Sequence, residues 1–566
     1  MRTLLKNGTV IHVFTGEKEK TQVLLEDGRI AGVGSYSDGE ADRVEDLDGT
    51  YICPGFIDGH IHIESSMLLP AEFARAALPH GTTAVVADPH EIANVCGAEG
   101  IRFMLEASEG LPLTVYVMIP SCVPATRFDE AGARLEAENI RPFYGCPRVL
   151  GLGEVMSYHA VAAGDAGLLR KIDDALSRGL VVNGHAPLLS GKELDRYIAA
   201  GVGDDHECSS AEEAMERLRK GQHILIREGT AARNLESLLP LFDEPFAGRC
   251  LLVTDDRHPA DLVEQGHIDD IIRKAAAAGK DPVTGIRMAT IQAAEYFGLR
   301  RVGAVAPGYR ADLLVLDDLE SVAVRDVYHA GRKVVSEGRV LPFAQPETDP
   351  ELQRIVCGSF HMKELAGEDF RTGFSGRHSC RVIGLEEGQL LTEERIRELD
   401  FDREDGKDLE RDIVKIAVAE RHRGTGHIGL AFIEGTGVRA GALASSVSHD
   451  SHNLIVIGAS EEDMALAANR IRALGGGMVV VKDGEVIAQM PLPYAGLMTG
   501  EPAEQAAAEN ALVRDSVHAL GVPAGRELFM TMSFISLPVI PHLKLTTLGL
   551  VDVDRQIRVP LLMKEE

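Results

Sequence analysis

Residues 54–66 read PGFIDGHIHIESS. The run from 56 to 63 is apolar and β-type, and it carries His60 and His62 two positions apart. Side chains two apart on a strand leave the same face, about 6.6 Å from each other. Two imidazoles so placed can converge on one cation, because metal–nitrogen bonds are about 2.0–2.1 Å long. The stretch therefore predicts a strand that ends in a pair of metal ligands.

Similar β-type runs continue along the chain and alternate with helical segments rich in Ala, Leu, Glu and Arg. The predicted strands lie at 56–63, 82–88, 113–119, 149–155, 180–186, 201–207, 222–228 and 250–256. Eight strand–helix units over roughly 240 residues match the length of a (β/α)8 barrel. We therefore expect a TIM-like barrel.

The flanking regions have a different pattern. The first 50 residues contain short alternating segments, in which Asn7-Gly8 and Asp27-Gly28 are typical of hairpin turns. β signals return after residue 300, and a proline-rich linker at 342–352 precedes a further α/β region. The predicted fold class is α/β: a (β/α)8 barrel, a small split β domain and a C-terminal α/β domain. The expected segments are 1–54 and 301–345 for the split β domain, 55–300 for the barrel, and 353–566 for the C-terminal domain.

Composition excludes several classes of protein. The 58 Lys and Arg residues stand against 87 Asp and Glu residues, giving a formal charge of −29. Such a surface repels phosphate backbones and anionic lipids, so neither nucleic acid nor a membrane is an expected partner. Eight scattered cysteines without a C-x-x-C pair indicate reduced thiols, and no stretch approaches the about 18 apolar residues of a membrane span. We therefore expect a cytoplasmic protein.

Metal-ligand residue types recur at the carboxyl ends of the predicted strands, where barrel active sites are assembled. An isolated His, Glu or Asp at a strand end is more often a cap or a hydrogen-bonding residue than a ligand. Six in the order H-x-H, Glu, His, His, Asp outweigh coincidence, and they suit a pair of iron, manganese or zinc ions rather than calcium. The predicted ligands are His60, His62, Glu154, His185, His206 and Asp255.

At this point the chain resembles a known family. Residues 54–66 resemble the signature of the metal-dependent amidohydrolase superfamily, and VGAVAPGYRADLLVLD (302–317) resembles the segment that re-enters its small β domain. More narrowly, the chain is similar over its whole length to the bacterial adenine deaminase family. The stretches that carry this resemblance are GFIDGHIHIESSML (55–68), ADPHEIANVCG (87–97), GLGEVM (151–156), VNGHAP (182–187) and SSVSHDSHNLIV (445–456).

The resemblance implies a site with two divalent cations per subunit, Mn(II) or Fe(II) ahead of Zn(II). It assigns His60, His62 and Asp255 to one metal, His185 and His206 to the other, and Glu154 to the bridge. Many superfamily members use a carboxylated lysine as this bridge. A glutamate needs no carbon dioxide to become an anionic ligand.

The implied activity is the hydrolysis of adenine to hypoxanthine and ammonia by a metal-activated water, a step of purine salvage. In this interpretation, Asp255 accepts the proton of the water while it remains a ligand. Glu207 is a candidate for a second acid, although it could instead orient the imidazole of His206. The expected assembly is a homo-oligomer, specifically a dimer.

Further residues have two open interpretations each. His90 and Glu91 could bind an additional metal or shape the pocket, or they could simply begin a helix. Arg227 and Glu228 could hydrogen-bond the purine ring, or form ion pairs on the barrel rim. The residues His449, Asp450, Ser451 and His452 could form a loop that closes over the barrel mouth and contacts the purine, or an ordinary polar loop.

Two rival functions remain at this stage. Another amidohydrolase that acts on a cyclic amide or an N-acetyl sugar would use the same ligands. A noncatalytic scaffold would be expected to have lost ligands, whereas all six positions are filled here. The resemblance at 87–97 and in the C-terminal region favours the deaminase.

Overall fold

The computed structural model describes residues 1–230, 232–385 and 391–563, which fall into two compact units. The first unit contains Met1–Pro89, Met104–Ser121 and Ile140–Glu347. The second contains His90–Phe103, Cys122–Asn139 and Thr348–Glu566. Two stretches that the sequence analysis put inside the barrel segment therefore cluster with the C-terminal region. This division does not test the bounds of the four predicted segments, which stay predictions.

The N-terminal residues form β structure, with strands β1 (Arg2–His12), β2 (Glu17–Glu26), β3 (Arg29–Gly34), β4 (Arg43–Asp46) and β5 (Tyr51–Pro54). The predicted turn at Asp27-Gly28 joins β2 to β3, and both residues have positive φ. The turn predicted at Asn7-Gly8 is wrong, because β1 continues through it with a register shift between Leu5 and Gly8. Asn7 takes a φ of 60° there. A β-bulge uses a left-handed residue as readily as a hairpin turn does, so the dipeptide alone could not distinguish them.

In the described residues, eight parallel strands follow one another as the sequence predicts. They are β6 (Phe56–Ile61), β7 (Thr82–Ala87), β8 (Thr114–Ile119), β9 (Val149–Val155), β10 (Val181–Gly184), β11 (Asp204–Asp205), β12 (His223–Arg227) and β13 (Cys250–Val253). Neighbours in the chain pair in parallel, apart from β10 and β11, which are joined by a bond from Gly203 N–H to Val182 C=O at 2.9 Å. Beyond the end of β13, Asp255 N–H donates to His60 C=O at 3.0 Å and closes the barrel onto β6. The predicted fold class is therefore confirmed.

Helices follow these strands along the chain. They are α1 (Pro70–Ala77), α2 (His90–Ala107), α3 (Ala137–Ile140), α4 (Tyr158–Ala163), α5 (Ala166–Leu176), α6 (Gly191–Ala199), α7 (Ala211–Arg219), α8 (Leu235–Leu238), α9 (Pro259–Glu264), α10 (Ile268–Ala277), α11 (Pro282–Met288) and α12 (Ile291–Tyr296). α5 shows why such segments fold as they do. The Asp165 side chain caps its first turn by accepting from Leu168 N–H at 2.8 Å. Leu168, Ile172 and Ala175 are buried at helical spacing, so one face of α5 packs inward.

The chain then returns to the N-terminal sheet through β14 (Leu313–Leu316), β15 (Val324–His329), β16 (Arg332–Ser336) and β17 (Arg339–Val340). β14 pairs antiparallel with β5, and the described strands of this sheet number nine. Its core includes Val10, Ile52 and Leu313, none of which is exposed. The strands before the barrel (β1–β5) and those after it (β14–β17) therefore form one sheet.

The second unit is built on a sheet of its own. The elements after the linker are α13 (Pro350–Cys357), β18 (Arg377–Leu385), β19 (Thr392–Asp400), β20 (Ile413–Ala419), β21 (Ile428–Glu434), β22 (Ala442–Ser445), β23 (Leu454–Gly458), α14 (Glu461–Leu474), β24 (Gly477–Lys482), β25 (Glu485–Pro491), α15 (Ala503–Ser516), α16 (Leu528–Ser533), β26 (Leu543–Thr546), β27 (Gly549–Asp552) and β28 (Ile557–Arg558). Within the described residues, β18–β25 form an eight-stranded sheet and β26–β28 a three-stranded one. α14 packs on the larger sheet through Met464 and Ile471. Across the described ranges, no helix has the length and apolar character that a membrane crossing requires.

Candidate metal centre

The six predicted ligands meet at the carboxyl ends of the barrel strands, around the side chain of Glu154. Glu154 Oε1 lies 2.9 Å from the Nε2 atoms of both His60 and His62. Glu154 Oε2 faces the other pair, 2.8 Å from His185 Nδ1 and 3.9 Å from His206 Nε2. One carboxylate therefore offers one oxygen to each pair of imidazoles, which is the arrangement of a bridging ligand.

Asp255 completes the half of the site that contains His60 and His62. Its Oδ1 lies 3.1 Å from His62 Nε2 and 3.6 Å from His60 Nε2. All three side chains are nearly or wholly buried. One half thus contains two imidazoles and one carboxylate besides the shared Glu154, and the other half contains two imidazoles.

The tautomer of His62 suits a ligand. Its Nδ1 lies 2.9 Å from the backbone carbonyl of Asp88, and a carbonyl can only accept a hydrogen bond. Nδ1 therefore carries the proton, and in the neutral ring Nε2 presents its lone pair to Glu154 and Asp255. A histidine that binds a metal is commonly oriented by such a bond from its other ring nitrogen.

Several buried polar atoms of this site have no hydrogen-bond partner among the described residues. They include both ring nitrogens of His60 and His185, and Glu154 Oε1. Glu154 Oε1 is nevertheless only 2.9 Å from His60 Nε2. Buried polar atoms are rarely left unpaired, and short contacts without hydrogen-bond geometry are expected of ligands that converge on a common ion. The nitrogen and oxygen donors therefore fit a pair of borderline divalent cations.

The electrostatics of the site favour positive charge. Burial alone would lower the pKa of His60, but the close carboxylates of Asp255 and Glu154 raise it to about 10. Burial alone would raise the pKa of Glu154, but His206 and His185 hold it well below its usual range. The pKa of Asp255 is likewise held well below its usual range, against the effect of burial, chiefly by Arg227 and His60. Two ionised, buried carboxylates so close to four imidazoles supply the negative charge that divalent cations would balance.

Residues that the sequence analysis did not single out hold the ligands in place. The Asp88 carboxylate accepts from Glu154 N–H at 2.9 Å, and a side chain at Gly153 would collide with that carboxylate. Tyr197 ties β10 to β9, because its hydroxyl accepts from His185 N–H at 2.9 Å and donates to the Val155 carbonyl at 2.7 Å. Asp88 lies in the ADPHE stretch (87–91), and its position directly after β7 is the feature of the sequence that could have marked it as a site residue. No local sequence pattern predicts the role of Tyr197, because that role depends on hydrogen bonds to distant residues in the folded protein.

The second-acid candidate, Glu207, lies beside the site. Its Oε1 is 3.5 Å from His185 Nδ1 and 3.4 Å from His206 Nε2. Arg227 forms ion pairs with both Glu207 and Asp255, at 2.6 Å each. The predicted acid role of Glu207 and the predicted purine contact of Arg227 stay predictions.

Glu228, the neighbour of Arg227, belongs to a different network. Its Oε1 accepts from Lys274 Nζ at 2.9 Å, and its backbone carbonyl accepts from Arg257 Nη1 at 3.1 Å. Lys274 and Arg257 both pair with Asp270 at 3.0 Å. Glu228 thus forms the ion pairs that were one of its two interpretations, and its contact with a substrate stays a prediction.

The remaining candidates lie in the second unit, where Glu91 sits between two imidazoles. α2 begins at His90, so Glu91 occupies its first turn. Glu91 Oε1 is 2.5 Å from His449 Nδ1, and its Oε2 bonds His452 Nε2. Ser448 N–H donates to His452 Nδ1 at 3.1 Å, so a neutral His452 carries its proton on Nε2 and donates it to Glu91. Burial lowers the pKa of His452 to about 4, which keeps the ring neutral.

Two other predicted residues lie near this cluster. Asp450 Oδ1 is 3.9 Å from His90 Nε2, and the Ser451 carbonyl accepts from His422 Nε2 at 2.7 Å. The predicted purine contacts of the 449–452 loop, and an additional metal or pocket at His90 and Glu91, stay predictions.

A closed parallel barrel with a histidine–carboxylate site at its carboxyl end defines a hydrolase of the metal-dependent amidohydrolase class. In agreement, residues 51–340 match the family described as "Amidohydrolase family", and residues 389–556 match "Adenine deaminase C-terminal domain". Since relatives named adenine deaminase align with almost the whole chain, the chain belongs to the adenine deaminase family. The predicted family is confirmed.

Two relatives illustrate the match, and one solved structure is similar to part of the chain. "Adenine deaminase 2" of Carboxydothermus hydrogenoformans is 48% identical over 561 residues, covering 99% of this chain and 96% of that protein. "Adenine deaminase" of Desulfatibacillum aliphaticivorans is 46% identical over 552 residues, covering 97% of this chain and 95% of that protein. The crystal structure of enamidase, titled a member of the amidohydrolase superfamily, is 19% identical with a TM-score of 0.48, covering 61% of this chain and 98% of that one.

Proposed function

We propose that this protein hydrolyses adenine to hypoxanthine and ammonia at the barrel site. The observation that carries the proposal is the position of Glu154, whose two oxygens face two separate pairs of imidazoles. The relatives named adenine deaminase match both the barrel and the C-terminal region, and the names agree with the activity expected from the sequence.

The residues that would hold the cations divide as the geometry suggests. His60, His62 and Asp255 belong to one metal, His185 and His206 to the other, and Glu154 to both. When bound, two divalent cations would supply a water activated for attack at neutral pH by lowering its pKa. We propose Mn(II) or Fe(II) as the physiological ions and Zn(II) as a weaker candidate, because imidazole and carboxylate donors suit all three.

The carboxylates of the chain would move the protons of the reaction. Replacing the exocyclic amine of adenine by oxygen moves both protons of the water. One goes to the amine, which departs as ammonia because an amide anion is a very poor leaving group, and the other ends on ring N1. Asp255 is the proposed acceptor for the water proton, because its side chain lies beside His62 at the centre of the site. Glu207, 3.4 Å from His206 Nε2, is the proposed second group in that transfer.

Other expectations about the protein belong with this proposal. We propose purine salvage as the role, the cytoplasm as the location and a homodimer as the assembly, with no nucleic-acid or membrane partner. All eight cysteines, each within the described ranges, are free thiols, which accords with a reducing compartment. Light scattering of the metal-loaded protein would test the dimer.

One assay tests the proposed function directly. Protein loaded with Mn(II) or Fe(II) is mixed with adenine, and the loss of adenine absorbance is compared with the ammonia released. We expect one mole of ammonia to be released for each mole of adenine consumed. We expect no turnover of hydantoins, dihydroorotate or acetylated amino sugars. Fully loaded protein that releases no ammonia from adenine but hydrolyses one of the other substrates would reject the proposal.

A further inference from the structure

Arg227, the last residue of β12, joins two carboxylates at the edge of the metal centre. Its Nη1 donates to Glu207 Oε1 and to Asp255 Oδ2, both at 2.6 Å, and its Nη2 donates to Glu207 Oε2 at 3.1 Å. The side chain is only 10% exposed. A buried guanidinium so placed fixes both carboxylates through its planar fork of donors.

The ion pair with Asp255 gives the two oxygens of that carboxylate different partners. Oδ2 is bonded to Arg227, while Oδ1 faces the imidazoles of His60 and His62. Asp255 can therefore offer a single oxygen toward the metal without breaking the ion pair.

The pair with Glu207 has a different consequence. Glu207 Oε1 lies 3.5 Å from His185 Nδ1 and 3.4 Å from His206 Nε2. These three side chains offer ligand atoms that all lie within 4.8 Å of one another, which is close enough to hold a cation. Glu207 is thus a possible additional ligand for the metal of His185 and His206. Both of its oxygens, however, are bonded to Arg227.

We propose that Arg227 is a positioning residue that keeps Glu207 off the metal of His185 and His206. The proposal rests on the proposed two-metal site. Catalytic metal sites keep a position open for water or substrate, whereas structural sites are filled by protein ligands. If Glu207 were released, a third anionic side chain could occupy that open position. Arg227 therefore preserves the catalytic character of the centre.

The test uses Co(II)-loaded protein without substrate, so that it does not depend on the identity of the substrate. Visible absorption of Co(II) falls as its coordination number rises, and a chelator measures the rate at which each metal leaves. The variants are Arg227→Met and the double variant Arg227→Met/Glu207→Gln. Arg310→Met is the matched control, because Arg310 forms a part-buried ion pair with Asp312 in the segment just before β14, outside the metal centre.

In Arg227→Met, we expect weaker visible absorption, slower release of one metal, and adenine turnover lowered about 10- to 100-fold in the Mn(II) enzyme. The double variant should recover the wild-type spectrum and release rate, because a neutral amide in place of the Glu207 carboxylate brings no anionic ligand. Arg310→Met should leave both readouts unchanged. If Arg227→Met does not fold, Arg227→Lys is used, since a lysine keeps the charge but cannot hold both carboxylates with a fork.

Two results would overturn the proposal. One is a wild-type spectrum and release rate in the Arg227 variant. The other is a change that the Glu207 substitution does not reverse, including loss of both metals, which would assign Arg227 a purely structural role. Wild-type protein that binds two Co(II) ions but does not deaminate adenine would count against the proposed function and leave this inference standing.

Discussion

Replacing Glu154 by glutamine should remove the metal pair while the barrel stays folded. The substitution keeps the shape of the side chain but leaves one oxygen where two are needed, with an amide NH2 facing the other imidazole pair. Each half of the site thereby loses or weakens one charge-assisted contact, and such contacts are worth about 1.5–3 kcal/mol each. Two of them amount to about 4 kcal/mol, which corresponds to a fall of about 10³-fold in turnover at subsaturating metal.

The assay combines metal analysis by mass spectrometry with ammonia release from adenine and circular dichroism. Glu45→Gln is the matched control, because Glu45 also forms part-buried contacts, with Lys333 Nζ at 2.8 Å and Tyr328 Oη at 2.6 Å, but lies in the nine-stranded sheet. We expect the control to keep two metals per chain and wild-type turnover. Near-normal turnover by a fully metallated Glu154→Gln protein would refute the bridging assignment.

Three further predictions follow from single contacts. Asp255→Asn should lower turnover by at least about 100-fold, the usual contribution of a general base, while metal content falls less; equal losses of metal and turnover would argue against proton transfer by Asp255. Asp88→Ala removes the acceptor for Glu154 N–H and should speed metal loss to a chelator about 10- to 100-fold, whereas an unchanged rate would exclude a positioning role. Burial lowers the pKa of Lys544 to about 7. The pKa of this lysine in the unfolded chain is about 10.4, so between pH 7 and about 10 the unfolded chain binds more protons than the folded protein. The free energy of unfolding should therefore rise with pH over that window. The melting temperature of Lys544→Met should lack this rise, and parallel pH profiles for the two proteins would contradict the prediction.

The sequence was informative where local pattern determines structure. Apolar runs with turn signals located the barrel strands, because a strand buried on both faces must be apolar along its length. His60 and His62 could be paired from spacing alone, since alternation along a strand places them on one face. Convergence of Glu154, His185 and Asp255 followed from one rule, that parallel barrel strands end at the same rim.

Other features depend on contacts between distant parts of the chain, which no local pattern records. The ion pairs of Arg227 with Glu207 and Asp255 join residues 20 and 28 positions apart, so the sequence left Arg227 with two interpretations. Residues 90–103 cluster with the C-terminal unit, and the hydrophobic periodicity of the sequence does not predict this. The prediction of a turn at Asn7-Gly8 is wrong because a β-bulge and a hairpin turn use the same backbone conformation.

An anomalous-scattering map of crystals of the Mn(II)-loaded protein would show whether Glu154 bridges two metal ions. We predict two peaks, one on the side of Glu154 that faces His60 and His62 and one on the side that faces His185 and His206, each about 2.0–2.2 Å from its nearest ligand atoms. A single peak, or peaks that do not flank the Glu154 carboxylate, would contradict the account.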